Sequence, residues 1–180
     1  MRATPAIHTK CLLLVCLCMV TVAGWAQSRL PIGGWQVHVP YRQGIAVAVA
    51  SDKIYLAAER GLFFYDKEFN TTETITKVDG LSEQQISDIA FDESSGTLVI
   101  AYSNTKVDLL QGSRIYSITD IFRKSIPGEK KINSIYTAGK QAYLSTTFGV
   151  VVLDLQKQEV KDTYSGLGPN GETVSARAVA

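Results

Sequence analysis

Cysteine is absent beyond position 18, since Cys11, Cys16 and Cys18 are the only three in the chain. That excludes a disulfide framework, a thiolate nucleophile and a cysteine metal site from everything that follows. Histidine is nearly as scarce, with His8 at the start and His38 further on. His38 lies on an alternating apolar stretch with no second His or Cys to share a metal, so a structural or surface role is expected. Neither sign of charge dominates: 18 Lys and Arg face 17 Asp and Glu. Nothing in that balance draws nucleic acid or an anionic bilayer by bulk charge. No serine sits in a G-x-S-x-G elbow.

The first 26 residues differ from the rest. Arg2 and Lys10 give a positive start, Leu12 to Ala23 is apolar, and Ala23-Gly24-Trp25-Ala26 offers small residues for cleavage. The pattern is that of a secretory signal peptide, with an apolar core shorter than the ~20 residues that span a bilayer. Cleavage is expected after Ala26, and an uncleaved anchor is the alternative. Lipid attachment at Cys16 or Cys18 wants a small residue just before the cysteine, and Val15 and Leu17 are not small. Removing Arg2 and Lys10 leaves 16 basic against 17 acidic residues, or −1, and no transmembrane segment in the mature chain.

Beyond the leader the sequence repeats. Ile54-Tyr55-Leu56 through Gly61 to Asp66 aligns without a gap on Ala142-Tyr143-Leu144 through Gly149 to Asp154, 88 residues later (143 − 55), and Leu98 to Leu110 falls between them at an offset of 44 (99 − 55). Apolar alternating stretches begin at Gly44, Ile86, Ile132 and Val174, with spacings of 42, 46 and 42. Each period holds four short strand signals. A four-strand period in the low forties is a propeller blade, because a lone four-stranded sheet cannot cover both faces and must stack on its neighbours. The expected fold is therefore all-β: about three four-stranded blades plus the start of a fourth, an incomplete ring.

Residues 1–26 form the leader, 27–43 an N-terminal strand segment and 44–180 the partial propeller. The segment from Leu30 to Tyr41 alternates between two prolines, as an edge or ring-closing strand does. In blade one, strands are expected over Ile45 to Ala50, Lys53 to Ala58, Gly61 to Asp66 and a Thr-rich Thr71 to Val78. In blade two, Ser94-Ser95-Gly96 marks a hairpin. Asn104-Thr105 replaces the Gly61 turn, with asparagine expected to take the left-handed conformation. Arg114 to Ile121 reads as the outer strand. Phe122 to Lys131 reads as a loop holding the four extra residues of that period (46 − 42), its Glu129-Lys130-Lys131 cluster solvated. A ring typically needs 4–8 blades. Three blades and one strand leave an apolar face open, so the chain reads as part of a longer protein, poorly soluble alone.

No catalytic, cofactor-binding or metal constellation emerges. Gly166-Leu167-Gly168-Pro169-Asn170-Gly171 matches G-x-G-x-x-G in letters, but a dinucleotide site needs a helix after it, and here Pro169 and a β pattern follow. Asp88, Asp92, Glu93 and Asp108 gather in blade two. Their spacing fits no calcium loop, and they read as solvated turn residues. Tyr55, Phe63, Phe64, Tyr65 and Tyr143 recur at repeat positions, which favours packing over a stacking platform.

The stretches Gly80-Leu81-Ser82, Ile86-x-x-Ile89, Gly96-x-Leu98-x-Ile100 and Gly61-Leu62-Phe63-Phe64-Tyr65-Asp66 resemble the two-component-regulator propeller repeat of Bacteroidetes sensors and some secretion proteins. Gly34-Trp35-Gln36-Val37-His38-Val39-Pro40-Tyr41, Phe148 to Leu155 and Lys161-Asp162-Thr163-Tyr164 with Gly168-Pro169-Asn170-Gly171 narrow this. Together they resemble the N-terminal propeller of the PorZ family of type IX secretion proteins. Blade two departs, with Thr105 and Leu110 where the motif has Gly and Asp. The resemblance implies a non-enzymatic component at the outer membrane surface, with the periplasm as alternative. It would bind anionic lipopolysaccharide beside the sortase-like PorU, with PorV and PorQ, without a cofactor. No ligand-contact residue carries over. The alternatives are a glycan-sensing propeller of a hybrid two-component regulator and a propeller hydrolase or lyase using carboxylates alone.

Overall fold

The computed structural model describes residues 43–179. The leader, and residues 27–42 with Trp35 and His38, lie outside the described residues.

Twelve strands form three separate four-stranded antiparallel sheets. Blade one holds β1 (Gly44–Val49), β2 (Lys53–Ala58), β3 (Gly61–Asp66) and β4 (Thr71–Ile75). Blade two holds β5 (Ile86–Asp92), β6 (Thr97–Tyr102), β7 (Val107–Gln111) and β8 (Arg114–Ile118). Blade three holds β9 (Ile132–Ala138), β10 (Gln141–Thr146), β11 (Gly149–Asp154) and β12 (Glu159–Tyr164). In each blade the strands pair in sequence order. The first strands β1, β5 and β9 lie side by side, as the inner strands of neighbouring propeller blades do.

Burial explains why blade two reads as nearly continuous apolar strands. Every residue of β6 is buried. Leu98, Ile100 and Tyr102 pack with Ala57 and Leu62 of blade one. Val99 and Ala101, on the opposite face, pack with Ala142, Leu144, Val151 and Leu153 of blade three. A strand covered on both faces has no wet side to alternate toward. Among the described residues, blade one is covered on one face only. Ala48 of β1 is buried, whereas Val47 and Val49 are 55% and 60% exposed. In register beside them stand Leu56 and Ile54, and then Phe63 and Tyr65.

The repeat motif is a turn device. Asp66 Oδ1 accepts the N–H groups of Glu68 (2.9 Å) and Phe69 (3.1 Å), and Asp154 Oδ1 those of Gln156 (2.9 Å) and Lys157 (3.0 Å). Each closes a four-residue connection to the outer strand. Blade two makes that connection with only Gly112 and Ser113, Gly112 at φ +59°, so Gln111, in register with Asp66 and Asp154, has no such turn to cap. Gly149 has a separate reason. At φ +122°, a Cβ there would stand 2.0 Å from the Tyr164 carbonyl oxygen.

Three expectations need correction. First, β4 stops at Ile75, before Val78. The Thr76 N–H and Oγ1 both donate to Asp79 Oδ2 at 2.8 Å, and this capping opens a 3-10 turn at Lys77–Asp79 that leaves Val78 82% exposed. Second, β8 stops at Ile118, and a short helix, Asp120–Arg123, buries Ile121 before the loop begins. Third, Thr105 is the left-handed residue, at φ +69°. Asn104 turns the chain with its side chain, its Oδ1 accepting the Lys106 N–H at 3.1 Å. Residues 172–179, where a fourth blade is expected to open, run without strand pairing. They are tied to blade three: the Ala176 N–H donates to the Thr146 carbonyl (2.9 Å), and Asn133 Nδ2 donates to the Ala176 carbonyl (2.7 Å).

Candidate functional site

The four carboxylates gathered by sequence are not brought together. Among the described residues no cluster of three or more His, Cys, Asp or Glu could hold a metal. Nor are they all solvated, as the sequence suggested. Glu93 is exposed, Asp88 partly buried, and Asp92 and Asp108 fully buried. Backbone N–H groups draw them inward, since a charge-assisted bond to a carboxylate offsets its burial. Asp92 Oδ2 accepts Ser95 N–H (2.8 Å) and Oγ (2.7 Å), capping the hairpin. Asp88 sits at a bulge in β5 and bridges two blades: its Oδ1 accepts the Ile89 N–H and its Oδ2 the Ile135 N–H of β9, both at 2.9 Å. Burial pushes the Asp88 carboxyl up, and the two N–H bonds oppose that shift.

Asp108 is the unusual one. By strand register Asp108, opposite Ile100, stands where blade one has Phe63, opposite Leu56, and blade three Val151, opposite Leu144, and blade two buries a carboxylate there. Its Oδ2 accepts the Tyr102 hydroxyl at 2.6 Å and the Ser82 N–H at 2.8 Å. Among the described residues its Oδ1 has no hydrogen-bond partner, and neither does Thr105 Oγ1 three positions before it. Burial first, then Asp108, push the Tyr102 hydroxyl far above its ordinary value, so it remains a donor at any physiological pH. Thr105 adds backbone strain, as a β-branched residue at positive φ is an outlier.

In front of Tyr102 lies a polar pocket of about 220 Å³, lined by Lys77, Glu83, Gln84, Gln85, Tyr102 and Asn104. The connection from β4 to β5 and the turn from β6 to β7 build it from two sides. Glu83 is shared by Lys106 at 2.7 Å and Lys77 at 3.5 Å. The hydrogen bond from Lys106, then its charge and that of Lys77, hold the Glu83 carboxyl below the usual range. The Lys106 ammonium also lies 5.2 Å from the Phe122 ring centroid, and Lys130 lies 5.8 Å from it. The corresponding place between blades two and three is a pair of cavities of about 410 and 210 Å³ sharing Lys124, Ile126, Phe148 and Thr163, the larger also lined by Ser125, Ser165 and Thr173 and the smaller by Ile121, Val151 and Val160. Unlike the pocket at Tyr102, these cavities have an apolar side, formed by Ile126 and Phe148.

The remaining sequence candidates are structural. Tyr55 stands 5.8 Å from Phe64 and 6.1 Å from Phe91, within the seam of blades one and two. Tyr143 pairs with Tyr136 at 6.2 Å. The glycine-rich stretch 166–171 ends in a 3-10 turn, Pro169–Gly171, that no longer helix continues, so it offers no dinucleotide site. Sequence reasoning passed over Tyr102, and so missed the pocket. Its signal was there to use: at the 44-residue offset Tyr102, Lys106 and Asp108 are polar where blade one has the apolar Ala58, Leu62 and Phe64.

Three stacked four-stranded sheets with their first strands adjacent define the class: consecutive blades of a β-propeller. Residues 54–179 match the family described as the type IX secretion PorZ N-terminal β-propeller domain, and the chain belongs to that family. It is similar to the structure of PorZ, "an essential bacterial surface component of the type-IX secretion system" of Porphyromonas gingivalis: 25% identity, TM-score 0.68, over 73% of this chain and 18% of that one. The chain thus spans under a fifth of that protein's length. Fold likeness extends to the extracellular domain of the hybrid two-component system BT4673 of B. thetaiotaomicron, at 16% identity and TM-score 0.56 over 68% of this chain and 17% of that one. It extends also to AztD from Citrobacter koseri, at 16% identity and TM-score 0.55 over 76% and 38%. No curated protein matches the chain by sequence. Among the described residues no helix is long and apolar enough to cross a membrane.

Proposed function

We propose that the chain is the first propeller region of a non-enzymatic scaffold of type IX secretion, exported by its 1–26 leader in a Bacteroidetes cell. It acts at the outer membrane surface, binding anionic lipopolysaccharide and assisting the sortase-like PorU, with PorV and PorQ, in attaching cargo. The family match over residues 54–179 carries the reading. The geometry supports it: among the described residues Asp88, Asp92 and Asp108 are spent on backbone N–H groups and do not converge as an acid–base pair. A strain whose full-length protein lacks residues 54–179 should release type IX cargo unattached to the surface. Cargo still anchored at the wild-type level refutes the reading.

A second reading, a periplasmic glycan-sensing propeller of a hybrid two-component regulator, draws on the likeness to the BT4673 extracellular domain. It requires a transmembrane helix and kinase domains in the full-length protein, whereas the scaffold continues as propeller.

A further inference from the structure

We infer that the pocket between blades one and two is a binding site for a single hydroxyl-rich ring carrying one anionic group, the chemistry of a sugar acid. The size comes first. At about 220 Å³ the pocket falls below the ~300–1,000 Å³ typical of drug-sized ligands and suits one ring, not a chain of them. The walls come second. The side-chain amides of Gln84 and Gln85 are exposed and make no hydrogen bond within the described chain. Asn104 uses only its Oδ1, on the Lys106 N–H, which leaves its Nδ2 to donate. Amides of this kind offer donors and acceptors together, as ring hydroxyls require.

Charge comes third. Glu83 is held by Lys106 at 2.7 Å and Lys77 at 3.5 Å, so two cations stand against one carboxylate. Lys77 is the looser and more exposed of the pair. Lys106 stands outside the lining and engages Glu83, which leaves Lys77 as the lining cation to meet an anion and no free carboxylate to meet a cation.

The wall behind is the least forgiving part of the molecule. Tyr102 is fixed by the buried Asp108, next to two buried oxygens, Asp108 Oδ1 and Thr105 Oγ1, that have no partner among the described residues, and a threonine in a left-handed conformation. Blade one has Ala58 and Phe63 at the places of Tyr102 and Asp108, and blade three Thr146 and Val151, so neither other blade buries a carboxylate here and folding alone does not require one. Costly local features that the fold does not need point to a site. The assignment deepens the scaffold reading above and rests on it for the source of the sugar.

The test uses the full-length protein, with glucuronate as anionic probe and glucose as its neutral counterpart, followed by titration calorimetry. Glucuronate is expected to saturate one site, with glucose several-fold weaker. Gln84→Ala with Gln85→Ala should weaken glucuronate about tenfold, through the loss of two ligand hydrogen bonds. Lys77→Met should bring glucuronate down to the level of glucose. All three positions are exposed, and far-ultraviolet circular dichroism of each variant checks that the fold is kept. No saturable glucuronate signal, or wild-type affinity in the amide variant, overturns the site. A second arm titrates purified anionic lipopolysaccharide. Lipopolysaccharide that binds while glucuronate does not removes the pocket and leaves the scaffold reading standing. Glucuronate that binds and responds to the variants, with no lipopolysaccharide binding, upholds the pocket and removes the lipopolysaccharide part of that reading.

Discussion

Replacing Tyr102 by phenylalanine tests the account of blade two most directly. The change deletes one oxygen and no packing volume of note. Its hydroxyl donates to Asp108 Oδ2 at 2.6 Å, and the carboxylate is fully buried. Without it, Asp108 keeps only the Ser82 N–H at 2.8 Å, since Oδ1 has no partner. A hydrogen bond to a charged group contributes about 1.5–3 kcal/mol, so Tyr102→Phe should cost about 2 kcal/mol. Asp108→Val, which imports the blade-three residue, should cost more, about 3 kcal/mol, because it strands the tyrosine hydroxyl and the Ser82 N–H together. The double variant strands only the Ser82 N–H and should cost about 1–2 kcal/mol, well below the sum of the singles. Native-state hydrogen exchange of the β6 and β7 amides in the full-length protein reads these costs as opening free energies. A Tyr102→Phe cost below about 0.5 kcal/mol, or a cycle that adds up, would show that no buried carboxylate depends on the tyrosine.

The other predictions concern single positions. Asp88 is raised in the folded state, mainly by burial, so the native protein holds its proton to higher pH than the unfolded chain. Stability should therefore fall as pH rises from the ordinary aspartate value of about 3.9 through the raised one. Denaturation midpoints measured across that window should show the slope, and Asp88→Asn should flatten it; an unchanged slope would clear Asp88. Gly149→Ala should destabilise by well over the ~1–2 kcal/mol of left-handed strain alone, because its Cβ meets the Tyr164 carbonyl, whereas Gly96→Ala, with nothing within 4 Å, should pay the strain only. Equal costs in urea titrations would rule out the clash. Thr105→Gly should leave the melting temperature unchanged or higher, since it removes left-handed strain and an unpartnered buried hydroxyl. A drop of several degrees would mean that the threonine methyl packs better than described. Residues 43–180 alone should self-associate through the open face of blade one, and Val47→Lys with Val49→Lys should raise the monomer fraction by sedimentation velocity. A sharp monomer from the unsubstituted segment would contradict this.

Local features were readable from sequence because local chemistry sets them. The first strands of all three blades start at Gly44, Ile86 and Ile132, where the alternation and the flanking turns place them. Outer strands were read too long because β-branched residues suggest strand until a side chain caps the backbone. Thr76 and Asp79 do this together, and neither is decisive alone. The pocket was harder still. Tyr102 and Asp108 stand on neighbouring strands, but what buries them is the 76–85 connection folding over from blade one, with Ser82 reaching a carboxylate 26 positions away. Spacing along the chain carries no trace of that contact. Asn104 and Thr105 show the same limit at smaller scale. Asparagine is the better left-handed residue in isolation. Here its side chain is engaged on the Lys106 N–H, and the conformation passes to its neighbour.

Because the three sheets share no ladder, every strand pairing in the described chain closes within one blade. The longest stretch of chain that must be present to complete a sheet is one repeat. A chain arriving N-terminus first, as on leaving a ribosome or a translocation channel, can finish the hydrogen bonding of each blade before the next has emerged. What each new blade then waits for is a cover on its second face, supplied by its successor. Assembly order is thus written into the register, and among the described blades the side awaiting cover is always that of the newest one.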